Sequence, residues 1–164
     1  MLNKSFTLIE TIVAIFILTV GILVVSSLIS YFISVSSISR QRLIAAYLAQ
    51  DGIEIVKNIR DTNFISGIAW DSGLTNCTGG CTNFDWRSKT LPDNTNCPGK
   101  NFLNLVDNLY QCSDSSPINL QRKVTIAKIS NPEGLKVVVE ITWREKGKSH
   151  SLVSQENLYN WFPR

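Results

Sequence analysis

The sequence has a single histidine and a single methionine, and its formal charge of +3 comes from 16 basic and 13 acidic residues scattered along the chain. Scattered charge excludes a strong polyanion-binding field and nominates no partner. There is no G-x-S-x-G elbow and no glycine-rich phosphate loop opening a helix. His150 falls on a predicted strand with no metal-ligand spacing around it, which reads as a surface or edge residue. No catalytic residue, metal or cofactor is therefore expected. Proline is missing before Pro92, so none interrupts a helix in the first half. The absence that decides the class is one of charge: 29 consecutive residues, Thr11 to Ser39, carry none.

At ~1.5 Å per residue that run makes a helix of roughly 44 Å, against a hydrocarbon core of ~30 Å. It can span a membrane and still project beyond it. A signal peptide or a plain single-span anchor has similar hydropathy, but a secretory signal has an apolar core of about 7–15 residues and a small-residue cleavage site after it. Here Ser26, Ser27, Ser30, Ser34, Ser36 and Ser37 form no such site, which favours a cut before the run. Glu10 stands at the head of the apolar block, and an unpaired carboxylate near the membrane centre would cost about 2.5–3.5 kcal/mol. Thr7-Leu8-Ile9-Glu10 fits the S/T-x-x-E capping box. The other reading pairs Glu10 with a positive charge on another chain.

Ser5-Phe6-Thr7-Leu8-Ile9-Glu10, preceded by Met1-Leu2-Asn3-Lys4 and followed by Thr11-Ile12-Val13-Ala14-Ile15-Phe16, resembles the prepilin signature of type IV pilins and type II secretion pseudopilins. The resemblance implies a leader of residues 1–5, removed between Ser5 and Phe6 by a membrane prepilin peptidase that then N-methylates Phe6. It implies that Glu10 attracts the Phe6 ammonium of a neighbouring subunit, setting register because a misplaced subunit would bury both charges unpaired. The family usually has glycine where Ser5 stands. Leu48–Glu54 followed by Asn58–Asp61 is similar to minor pilins of the pilus-modification type. The implied protein is a structural subunit, not an enzyme, held in the bacterial inner membrane with its head outside the cytoplasm. Its partners would be the peptidase, other pilin subunits, the assembly machinery and membrane lipid. A pseudopilin of a secretion or DNA-uptake system, a filament-tip binding module and a non-polymerising anchored domain are the alternatives. Ala14, Gly21 and Ser26 would allow close helix approach.

From residue 40 to about 61 the pattern becomes amphipathic. Ala45, Leu48, Gly52, Ile55 and Ile59 recur at helical spacing, while Arg42, Asp51, Glu54, Lys57, Arg60 and Asp61 take other faces. Glu54 with Lys57 and Lys57 with Asp61 stand at pairing distance along a solvated face. The membrane helix is predicted to continue through this segment.

The head, 62–164, opens with an irregular region, 62–120, punctuated by glycine and proline, with Trp70, Phe84 and Trp86 as isolated anchors and one short element near Phe102–Leu109. Cys77, Cys81, Cys97 and Cys112 lie in its poorly apolar middle, where staples are needed. Short loop closure favours Cys77–Cys81 with Cys97–Cys112 among the three possible pairings. Zinc is the alternative, although C-x3-C followed by C-x14-C lacks paired C-x2-C knuckles.

Residues 121–157 read as a three-stranded antiparallel meander. Leu135, Val137, Val139, Ile141 and Trp143 alternate with polar positions and form one apolar face. A strand over Arg122–Ile129 precedes it across a turn at Asn131-Pro132-Glu133-Gly134. Lys146-Gly147 turns into a weaker strand over Ser149–Gln155. The Leu48/Ile55/Ile59 stripe would cover the sheet, giving an α+β fold, and the resemblance implies the pilin architecture. Arg122, Lys123, Lys128, Arg144, Lys146 and Lys148 raise nucleic acid as a partner. No aromatics interleave them for base stacking, so solvated strand edges are the plainer reading.

Overall fold

With neither proline nor a turn cluster to stop it, the chain forms one helix, α1, over Leu8–Ser66. The computed structural model describes residues 7–130 and 133–161. Thr7 caps α1, its carbonyl accepting the Thr11 amide at 3.3 Å. The end lies five residues beyond the expected stop near 61, for a reason visible in the backbone. Gly67 has φ 74°, the Ile68 amide donates to the Asn63 carbonyl at 3.2 Å and the Gly67 amide to the Phe64 carbonyl at 3.4 Å. That is a Schellman ending, which needs glycine in the left-handed position.

The chain divides into two compact units between Gln41 and Arg42. In the first, α1 is long and apolar enough to cross a membrane, and its large side chains, such as Ile17, Ile22 and Phe32, are exposed. A helix apolar on all sides requires an apolar surrounding. In the second, α1 buries Ala45, Leu48, Ala49, Gly52, Ile53, Ile55, Val56, Ile59 and Asn63, including the whole stripe read from the sequence.

Five strands follow: β1 (Phe102–Val106), β2 (Leu109–Ser113), β3 (Gln121–Ser130), β4 (Glu133–Glu145) and β5 (Lys148–Tyr159). β3, β4 and β5 form an antiparallel sheet in that order, and β1 pairs with β2. The region expected to be irregular thus holds a hairpin. Asp107 (φ 49°) and Asn108 (φ 63°) form its tip, the paired positive φ of a two-residue turn that matches strand twist. Lys146 (φ 49°) and Gly147 (φ 77°) do the same between β4 and β5. The turn expected over residues 131–134 is shifted: pairing runs to Ser130↔Glu133, so Glu133 and Gly134 belong to β4, and Asn131 and Pro132 lie outside the described residues. β5 runs past Gln155 to Tyr159, pairing Leu158 with Leu135.

The inward face of β4 is the alternation read from the sequence, with Leu135, Val137, Val139, Ile141 and Trp143 at 0–3 % exposure. Each such side chain contributes about 1.5–3 kcal/mol by leaving water. Gly52 sets the approach of helix to sheet, since a Cβ there would lie 2.9 Å from Val139 Cγ1 and 3.0 Å from Arg122 Cδ. Asn63, at the helix end, donates through Nδ2 to the carbonyls of Trp70 (3.1 Å) and Ser72 (2.8 Å), which ties the following loop to α1.

Candidate functional site

Ser5 and Phe6, the expected cleavage pair, lie outside the described residues. Glu10 is on the first turn of α1. Its Oε2 accepts the Thr7 amide at 3.2 Å and the Thr7 hydroxyl at 3.3 Å, while Thr7 Oγ1 accepts the Glu10 amide at 3.4 Å. This is the reciprocal geometry of a capping box, a feature whose loss costs about 1 kcal/mol. Among the described residues no cation pairs with Glu10.

The uncharged half of α1 looks after its own polar side chains. Thr19 Oγ1 donates to the Phe16 carbonyl at 2.8 Å, Ser27 Oγ to Leu23 at 2.9 Å and Ser30 Oγ to Ser26 at 3.0 Å. Hydroxyls satisfied in this way present no unpaired donor to an apolar medium. A groove of ≈ 480 Å³ runs along Ile17, Leu18, Gly21, Ile22, Val25 and Ser26. It is open at Gly21, where a Cβ would meet nothing within 4 Å. Such a notch suits close approach by another helix.

In the head, all four cysteines are bonded, as Cys77–Cys81 and Cys97–Cys112. Asp85, Cys97 and Cys112 bring possible ligand atoms within 4.8 Å of one another, but the two sulfurs are joined, so neither is a thiolate available to zinc. Cys81 exchanges two backbone bonds of 2.8 Å with Val124, which docks the small cysteine loop on the outer edge of β3.

Beneath these staples lies a buried charge network that the sequence reading missed. Arg122, expected on a solvated basic face, is 0 % exposed. Its guanidinium donates to the Leu48 carbonyl at 3.3 Å, the Phe84 carbonyl at 3.4 Å and the Asp51 carboxylate, and it sits 4.5 Å from the Phe84 ring centroid. Burial pushes its pKa down, against the pull of Asp51. Buried Asp85 accepts bonds from Arg87 Nε at 3.2 Å and the Cys112 amide at 3.3 Å. Burial pushes its carboxyl up, but these bonds outweigh that and hold it below the ordinary 3.8. The signal for Arg122 was present: it precedes Val124 and Ile126 at period two and so shares their inward face.

Other expected surface features also change. Lys128 binds Asp71 at 2.9 Å, so together with buried Arg122 it leaves no six-residue basic face. Lys57 reaches β5, binding Glu156 at 2.8 Å, and Asp61 is bound by Arg60 rather than Lys57. His150 is where the sequence reading put it, on the edge strand β5, half-buried and stacked 5.5 Å from Trp143. Of the three aromatic anchors, Trp70 and Phe84 are buried but Trp86 is 50 % exposed. Trp86 lines a groove of ≈ 300 Å³ with Ile44, Tyr47, Leu48, Leu109 and Tyr110. Asp51 is the one charged residue lining that groove.

No protein-family model, curated protein or solved structure matches the chain.

Proposed function

We propose that the chain is a structural subunit, of minor pilin type, of a type IV pilus-like filament, drawn from the bacterial inner membrane into a bundle of N-terminal helices. One observation carries this reading: α1 has an uncharged, exposed half headed by Glu10 and a second half buried on an antiparallel sheet. A head built on the distal half leaves the proximal half free for lipid first and for neighbouring helices afterwards. The prepilin-like residues Ser5–Glu10 supply the processing step, with prepilin peptidase removing residues 1–5 and methylating Phe6. The chain is then a substrate and a building block, not an enzyme. Glu10 is the register charge that meets the Phe6 ammonium of the next subunit, and the Gly21 notch admits that subunit's helix.

A second reading, a membrane-anchored domain that never polymerises, is favoured by one observation: Thr7 already engages the Glu10 carboxylate. The intact mass of the membrane form separates the two. From cells with an active prepilin peptidase, the filament reading predicts a chain beginning at methylated Phe6. A chain still beginning at Met1 rejects it.

A further inference from the structure

The first charges at the two ends of the uncharged run are Glu10 and Arg40. Neither can lie in hydrocarbon without a large cost. The 29 residues between them rise roughly 44 Å, which matches a bilayer taken with its headgroup layers, ~40–45 Å, rather than its ~30 Å core alone. Centred in the bilayer, the run gives the core about 20 residues, roughly 15 to 34, and leaves about five, 35 to 39, in the headgroup layer at its C-terminal end. Tyr31, 65 % exposed, stands just inside that boundary, in the zone where tyrosine and tryptophan concentrate. Arg40 marks the outer margin of the headgroups.

Three hydrogen-bond donors share one helix face in this layer. Ser39 follows Ser36 by three residues and Arg40 follows it by four, so the three side chains are neighbours on α1. All three are exposed. Helical side chains lean toward the N-terminus, which directs the Arg40 side chain back toward Ser36 and the bilayer, its apolar stem along the helix. Thr19, Ser27 and Ser30, deeper in the run, return their hydroxyls to backbone carbonyls. Ser36 and Ser39 do not, and Arg40 meets no carboxylate among the described residues.

We propose that Ser36, Ser39 and Arg40 bind the phosphate of an anionic phospholipid in the leaflet at that end of the span. The inference rests on the membrane-stored state of the filament reading and adds the lipid contact that sets the depth of α1 before assembly. A phosphate supplies what these donors lack, a charge opposite to that of arginine and several acceptor oxygens, which a guanidinium takes in pairs and a hydroxyl singly. A zwitterionic headgroup brings an ammonium that competes with Arg40 for the phosphate, so the anionic class fits better. Free phosphate has the same oxygens but no acyl chains to hold it at this depth.

The full chain in phosphatidylcholine vesicles carrying a trace of spin-labelled phosphatidylglycerol tests the site, read as the share of motionally restricted label. Arg40→Gln should lower the association of the labelled lipid about fivefold, the worth of one cation near a charged membrane surface. Ser36→Ala combined with Ser39→Ala should lower it about twofold. Lys89→Gln, on the exposed surface of the head, should leave it unchanged. The lipid site is overturned by an association that either the arginine or the serine variant leaves unchanged, by an equal loss from Lys89→Gln, or by equal restriction of labelled phosphatidylcholine. Displacement of the label by inorganic phosphate, beyond that by sodium chloride of the same ionic strength, assigns the site to free anions and overturns it too. A chain that stays in the vesicles through an alkaline carbonate wash leaves the filament reading standing in each of these cases. A chain washed out rejects the membrane helix on which both rest.

Discussion

The two halves of α1 are built from similar apolar residues and end in opposite environments. Ile22 is 65 % exposed and Ile59 is 4 % exposed, although both are isoleucines in the interior of the same helix. The difference lies in their neighbours. Around Ile59 stand Lys57, Arg60 and Asp61, which confine the apolar surface to one stripe, and β3, β4 and β5 cover that stripe. Around Ile22 there is no charge to confine anything, so the apolar surface extends all round. Helix formation is common to both halves; burial within the chain requires a polar opposite face and a partner sheet.

The largest contrast should come from truncating each isoleucine. Ile59→Ala should lower the stability of the head by about 2–5 kcal/mol, as for other buried aliphatic truncations, and chemical denaturation of the full chain in detergent would show it. Ile22→Ala should leave that transition in place. Equal losses from both would mean that the first half packs on the head after all.

A smaller contrast separates the two helical glycines. Gly52→Ala forces a Cβ against Val139 and Arg122, an overpacking cost of about 1–3 kcal/mol set against about 1 kcal/mol gained in helix propensity. Gly21→Ala meets nothing within 4 Å, so in the single chain only the gain remains. In filaments the order should reverse, because a methyl at Gly21 fills the notch a neighbouring helix would use. Co-sedimentation of each variant with sheared filaments measures this.

These contrasts also mark what the sequence made legible. The unbroken helix and its change of character after residue 39 followed from the uncharged run and the absence of proline, and the buried stripe and the inward face of β4 followed from periodicity. Where the helix ends did not, because Gly67 opens a stretch punctuated by glycine and proline and reads there as loop rather than as the left-handed residue that closes a helix. The β1–β2 hairpin escaped because Asp107-Asn108 lacks the glycine that usually announces such a turn. Arg122 has the charge of a surface residue at a period-two inward position; only the structure shows Leu48, Asp51 and Phe84 taking its two terminal nitrogens inside the core, while its Nε has no hydrogen-bond partner among the described residues. At Glu10 both readings of the sequence survive: the structure supplies the cap, and a partner on another chain is the proposal.

Glu10→Gln separates those two roles, because glutamine serves at the third helical position of a capping box as glutamate does but carries no charge. The measurement is the fraction of Glu10→Gln chains recovered in sheared filaments relative to wild type, with leader removal followed in the same cells. The register-charge account predicts normal removal of the leader, an unchanged head and incorporation reduced at least about tenfold, a change equivalent to 1.4 kcal/mol. Incorporation at the wild-type level would contradict it and leave Glu10 as a helix cap.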